Sequence, residues 1–265
     1  GLLGLLLGAG QAILRSILDT RIRTPEDLVS VTELPVLASV AHNKLADADR
    51  VSEADGVQWA NAEAYRKLRT SVGFVGLGGE RRSSMVITSS IVGEGKTETA
   101  TNLARVLALA GKRVLLVDAD LRRPQVASRL RLDSELGLSD VLTGRGSLQD
   151  LVIDVAPGYL YVLPAGTVPP NPSELLGSEA MTHLLATVER QFDYVLFDAP
   201  PVLPVTDAVI LAAETGGAIV VSRSGVIRQQ QLEASLEMLQ SADATVLGVV
   251  LNDVPVARSD GYYGY

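Results

Sequence analysis

The 265-residue chain contains no cysteine and only two histidines, His42 and His183. The first absence removes disulfides, thiolate metal sites and a cysteine nucleophile together, and is compatible with the cytosol without requiring it. The second removes a histidine-rich metal site. Cations are in the minority, with 23 Lys and Arg against 31 Asp and Glu and a formal net charge of -8. A nucleic-acid-binding surface needs clustered cations to neutralise phosphates, so no nucleic-acid partner is expected. Aromatic residues make up only 4% of the chain, yet of its seven tyrosines Tyr262, Tyr263 and Tyr265 all fall in the closing stretch SDGYYGY. Flanked by Ser259, Asp260, Gly261 and Gly264, those rings lie in no apolar periodicity and read as presented rather than packed.

Long apolar runs are also scarce, and the conspicuous one comes first. GLLGLLLGAG continues to Leu14 with Gln11 as its sole polar residue, which amounts to roughly 21 Å of helix against a bilayer core of about 30 Å. Arg15, Arg21 and Arg23 follow the run rather than precede it, the reverse of a signal peptide and the order expected on the cytoplasmic side of a membrane span. Residues 1–14 are therefore expected to be the end of a truncated transmembrane helix, the alternative being an apolar helix packed on the domain. Residues 15–55 are expected to form a juxtamembrane segment and linker. Within them Thr24 caps a short helix with Pro25 at its first position, and PVLASV from Pro35 is a possible strand.

An amphipathic helix is expected from Trp59 to about Phe74. After it, SMVITS, RVLLVD, YLYVLP, YVLFDAP, GAIVVS and TVLGVVLN alternate with helical stretches. Strands apolar on both faces and separated by helices indicate an α/β fold, a mostly parallel β-sheet with helices on both faces. The domain is placed at 56–252, followed by a tyrosine-containing tail at 253–265. No internal repeat or low-complexity tract is present.

Between the strand SMVITS and the following helix lies SSIVGEGKT. Small residues at a strand-to-helix turn let backbone N–H groups surround a phosphate, and the helix N-terminus adds its positive end. Gly93, Glu94, Gly95, Lys96, Thr97 and Glu98 are the candidate nucleotide-binding set, with Lys96 reaching the β- and γ-phosphates and the Thr97 hydroxyl available to Mg²⁺. This marks a P-loop NTPase, although Ser90 stands where the usual pattern has its first glycine. Two further strand ends carry carboxylates: LLVDADLRRP brings Asp118, Asp120 and Arg122, and VLFDAPP brings Asp198. An isolated D-x-D is more often a solvated turn. At the carboxyl ends of parallel strands beside a P-loop, these groups face the ligand crevice and can hold a metal or accept a proton.

Together these three segments resemble the Walker A, A′ and B motifs of the bacterial tyrosine kinases, the cytoplasmic domains of polysaccharide co-polymerases. EAYRKLRTSV, GLSDVLTGRGSLQDLV, LPAGTVPPNPSELLGS and PPVLPVTDAVILA are similar to that family's intervening segments, so the likeness runs from about residue 20 onward. Val92 departs from the Pro or Ala often found there, and the tyrosine tail is short. A MinD/ParA-type ATPase would share the sheet, but its signature lysine falls where this chain has Ile91. A catalytically dead scaffold is disfavoured by the complete set of Lys96, Thr97, Asp118, Asp120 and Asp198.

The resemblance implies a non-specific protein-tyrosine kinase that uses ATP and Mg²⁺ and phosphorylates Tyr262, Tyr263 and Tyr265 of its own tail, between subunits. In that reading Asp118 aligns or deprotonates the acceptor, Asp120 and Asp198 hold the metal with Thr97, Lys96 neutralises charge on the transferred group, Arg122 belongs to the catalytic set, and Asn252 lines the adenine pocket. Glu63, Arg66 and Arg69 match an E-x-x-R-x-x-R subunit-contact motif of ring-like homo-oligomers; spacing alone makes them a solvated helix face. The implied partners are the chain's own membrane or chain-length-determinant domain, a polysaccharide assembly machinery and a tyrosine phosphatase, at the cytoplasmic face of the bacterial plasma membrane.

Overall fold

The computed structural model describes residues 19–42, 59–75 and 83–255. The apolar run 1–14, the polar stretch 43–55 and the tail tyrosines lie outside the described residues. Among the described residues no helix is long and apolar enough to cross a membrane.

Eight strands form one sheet: β1 (Val36–Ala41), β2 (Ser84–Ser89), β3 (Val114–Asp118), β4 (Ile153–Ala156), β5 (Leu160–Leu163), β6 (Tyr194–Asp198), β7 (Ala218–Arg223) and β8 (Val246–Val254). Their spatial order is β1-β8-β7-β2-β6-β3-β5-β4. Every pairing is parallel except β4 with β5. Every residue of β2 and β3 is buried, as expected where helices cover both faces of parallel strands. Alternate side chains then serve two separate cores. Val86 packs with Leu185, Leu211 and Leu236 from the helices Glu179–Gln191, Asp207–Glu214 and Gln229–Ser241. Its neighbours Met85 and Ile87 pack with Leu68 and Leu103 from the helices Trp59–Val75 and Lys96–Leu109.

The short antiparallel β4 was not anticipated. Asp154 and Val155 in it are exposed, so it has neither the continuous apolar run of a central strand nor a buried face to announce it. A second difference concerns the segment assigned to the linker. Up to His42 it is part of the domain, because β1 pairs with β8 through Val36–Val249 and Ser39–Leu251. Upstream, Ile22 is fully buried and exchanges backbone hydrogen bonds with the loop after β7, its N–H donating to Ile227 and its carbonyl accepting from Gly225. Thr24 caps the helix Pro25–Val31 as expected, in a reciprocal capping box with Asp27.

The arrangement brings distant carboxylates together. Asp118 at the end of β3 is in register with Asp198 at the end of β6, and β6 lies directly between β3 and the P-loop strand β2. Because Ile22 fills the core under the loop after β7, Ile22→Ala is expected to lower the stability of the whole domain by about 2–5 kcal/mol, read as a shift in the urea midpoint. An unchanged midpoint would show that the segment only rests against the domain.

Candidate active site

The turn from β2 into the helix Lys96–Leu109 depends on two left-handed glycines, Gly93 at φ 86° and Gly95 at φ 93°. At Gly95 a Cβ would also lie 2.0 Å from Asn252 Nδ2, so conformation and space both demand glycine. Ser90 makes no such demand. It is not among the positive-φ residues, and its fully buried hydroxyl is hydrogen-bonded to that of Ser235 on the helix Gln229–Ser241. The departure from the usual pattern is thus a buried anchor for the start of the loop.

Two residues expected to contact nucleotide have side chains that brace the loop, and neither is among those lining the cavity above it. Glu94 is fully buried, its carboxylate accepting from Ile91 N at 2.8 Å and Arg223 N at 3.1 Å. Burial pushes it up to about 7 against the lowering effect of those N–H groups. Asn252 Nδ2 donates to the Glu94 carbonyl at 3.0 Å. From the end of β7, the Arg223 guanidinium reaches the Gly93 carbonyl at 3.3 Å and Asp253 at 2.7 Å, while Asp253 also contacts His42. The reading of the sequence missed Arg223 and Asp253, since a single charge at a strand end carries no spacing signal.

Lys96 lies between two carboxylates, 2.9 Å from Asp120 and 3.5 Å from Asp198. Burial works against its ammonium, but Asp198 and Asp120 outweigh it and hold the group above its ordinary value. The Thr97 hydroxyl donates to Asp198 at 2.6 Å. Asp198 is raised by burial, with Lys96 and the Thr97 hydroxyl opposing. Asp118 is pushed up to about 7 by burial and then by Asp198. Its Oδ2 accepts from Gln125 N at 3.0 Å and Val126 N at 2.9 Å, and its Oδ1 from Asp120 N at 3.3 Å. Of this D-x-D pair, Asp120 is therefore the member that lines the cavity, and Asp118 lies beneath it.

That cavity, ≈ 670 Å³, runs from Gly93 and Gly95–Glu98 to the turn after β3 and to the prolines after β6. Arg122 lines it but is held at its far edge. Its guanidinium donates to both oxygens of Asp207, at 2.8 and 3.0 Å, and to Ser173 at 3.0 Å. Asp207 is fully buried at the start of its helix, so Arg122 serves first as a clamp between two loops. Away from the cavity, the expected subunit-contact stripe divides: Arg66 pairs with Glu63 at 2.9 Å on the exposed face, whereas Arg69 donates to the Val106 carbonyl of the P-loop helix at 3.4 Å.

Among the described residues no three His, Cys, Asp or Glu side chains form a ready metal cage. Mg²⁺ needs none, because it keeps several waters and takes one or two protein oxygens beside phosphate. Thr97 and Asp198 offer such oxygens, in a cluster whose three aspartates exceed its one lysine. The donor set fits that ion.

Fold and site together define a P-loop nucleotide-binding protein. Comparison narrows this. The family described as an AAA domain matches residues 84–244. The tyrosine-protein kinase YwqD of Bacillus subtilis (strain 168) is 40% identical over 206 residues, which cover 77% of this chain and 86% of YwqD. The tyrosine-protein kinase wzc of Salmonella typhi is 35% identical over 283 residues, covering 100% of this chain but 39% of wzc, so the chain spans about two fifths of that relative's length. The kinase domain of the Escherichia coli tyrosine kinase ETK superposes with a TM-score of 0.78 at 31% identity, over 88% of this chain and 96% of that one. The chain belongs to the bacterial tyrosine-protein kinases.

Gly95→Ala must both force a side chain into the left-handed region and displace Asn252, so it is expected to abolish nucleotide binding while the chain stays folded. Calorimetric titration with ADP beside a circular-dichroism melt checks this; retained affinity would mean that the loop has slack which its bracing contacts do not suggest.

Proposed function

We propose that the protein is an ATP-dependent tyrosine autokinase that phosphorylates Tyr262, Tyr263 and Tyr265 of its own kind, from one subunit to another, and thereby regulates capsular or exopolysaccharide polymerisation and export at the cytoplasmic face of the membrane. The observation that carries this reading is Lys96 held between Asp120 and Asp198 at the foot of a cavity that continues past the phosphate site. A MinD/ParA-type ATPase is disfavoured by Ile91 in place of the signature lysine.

In this proposal Thr97 and Asp198 hold Mg²⁺, with Asp120 beside them, and the ion when bound neutralises charge on the phosphates. Lys96 faces the γ-phosphoryl group and meets the charge that builds on it. The tyrosine oxygen bonds to the γ-phosphorus as the bond to the β,γ-bridging oxygen breaks, and ADP leaves. The phenol, with an ordinary pKa of about 10, must lose its proton, and Asp118 is the proposed acceptor. A carboxyl pushed up to about 7 is matched to base work near neutrality. Positioning and electrostatics supply the rate, with no covalent enzyme intermediate. Beyond β8, which ends at Val254, residues 255–265 can reach roughly 36 Å when extended, enough to enter a neighbouring subunit's cavity. Glu63, Arg66 and Arg69 are proposed to hold that neighbour in a ring.

Asp118→Asn is expected to keep nucleotide affinity and lose transfer. In the metal-free protein the raised carboxyl is protonated below about pH 7 and ionised above, and a bound divalent ion lowers it, so wild-type single-turnover rates should climb with pH and level at or below that value. A flat profile, or affinity lost together with activity, would make Asp118 a support of the metal and its turn rather than the base.

The autokinase reading itself is tested by mixing Lys96→Met protein carrying an intact tail with active protein truncated after Ser259, in labelled ATP. Lys96→Met alone should lose at least a hundredfold in rate, on the order of 3 kcal/mol. Label is expected on the inactive partner's tail, and no longer when both proteins carry Arg66→Ala with Arg69→Ala. Self-labelling of full-length active protein without label on the inactive tail would refute transfer between subunits.

A further inference from the structure

The P-loop occupies only one side of the cavity. In the sheet, β2 has β7 on one side and β6 then β3 on the other. The β7 and β8 ends are committed to bracing the loop from below. The turn after β3 with the short helix Val126–Leu130 that follows it, and the segment after β6, supply the remaining walls, Arg122, Arg123 and Arg129 from the first and Pro201, Pro204 and Val205 from the second. An acceptor that approaches Lys96 and Asp120 must come along these walls.

The arginines there are not equivalent. Arg122 is taken by Asp207 and Ser173, and Arg129 pairs with Glu98 at 2.9 Å. The exposed Arg123 side chain has no such partner among the described residues, although its backbone N–H donates to Asp120 Oδ1 at 3.0 Å. That bond anchors Arg123 beside the carboxylate paired with Lys96. An unpaired guanidinium at the mouth of a cavity, next to an apolar wall of proline and valine, fits a peptide that presents an aromatic ring and a nearby carboxylate.

We infer that Arg123 determines substrate specificity by pairing with an acidic residue that flanks the acceptor tyrosine, whose ring lies against Pro201, Pro204 and Val205. The inference rests on the kinase reading above and names its substrate class: tyrosine peptides with an Asp or Glu a few residues away. The chain's own SDGYYGY meets that description, with Asp260 two positions before Tyr262. Arg122, adjacent in sequence, cannot serve equally, since engaging a peptide would strip buried Asp207 of its partner.

The test uses two synthetic peptides, SDGYYGY and the same sequence with Asn for Asp, each with wild-type enzyme and with Arg123→Gln. Removal of the acid should cost wild type about threefold to tenfold in kcat/KM, seen as a higher KM for peptide. The same removal should cost the Arg123→Gln enzyme nothing, and Arg123→Glu should prefer a peptide with Lys in place of Asp. Equal losses in both enzymes would overturn the assignment while leaving the kinase reading intact. A higher KM for ATP in Arg123→Gln, independent of the peptide's acid, would overturn it too, by moving the residue to the nucleotide. Wild-type enzyme that labels neither peptide nor its own tail would overturn the kinase reading on which the inference stands.

Discussion

The site is organised around one buried cation among three buried carboxylates. Lys96 is close enough to satisfy Asp120 and Asp198 together, but a single ammonium cannot balance them and Asp118 as well. Burial and mutual repulsion therefore raise Asp118 and Asp198, and without a further cation the cluster favours keeping a proton. A divalent ion bound there would displace that proton, so metal affinity and acidity are linked in this fold. With negative charge in excess, Lys96 steadies the cluster as well as standing ready to meet phosphate.

Keeping this cluster in place requires that the loops around it not move independently, and buried polar contacts accomplish that. Ser90 fastens the entry of the P-loop to Ser235, Glu94 and Asn252 fasten its crest to the ends of β7 and β8, and Arg223 adds a contact to Gly93. The turn after β3 is secured twice, by Asp118 to the N–H groups of Gln125 and Val126 and by Arg122 to Asp207. Each contact uses a hydroxyl, amide or charged group, and the gain is a defined geometry for hydrogen-bonding groups that burial would otherwise leave unpaired. Arg123 is then notable for being left out of this bracing.

The edge beyond β8 extends the same logic. β1 and the residues before it lie against β8 and the loop after β7, the elements that support the P-loop, and His42 meets Asp253 there. A stretch expected to lead up to the domain is thus packed against the elements that support the nucleotide site.

The sequence alone determined the class of fold and the chemistry of the site's floor. Runs such as SMVITS and RVLLVD, apolar on both faces and alternating with helical stretches, indicate a covered parallel sheet, and G-E-G-K-T between strand and helix marks a turn that offers backbone N–H groups to phosphate. It did not disclose β4, whose exposed Asp154 and Val155 follow no periodic rule, nor the membership of residues 19–42 in the domain, which depends on pairing across about two hundred positions. Nor did it show that the side chains of Glu94 and Asn252 brace the P-loop, or that Arg122 is clamped to Asp207. A motif specifies which atoms the backbone will offer, but whether a side chain turns up to the cavity or down into the core is decided by what stands beneath it. Here that is the ends of β7 and β8 and the buried Asp207, all brought from more than eighty residues away.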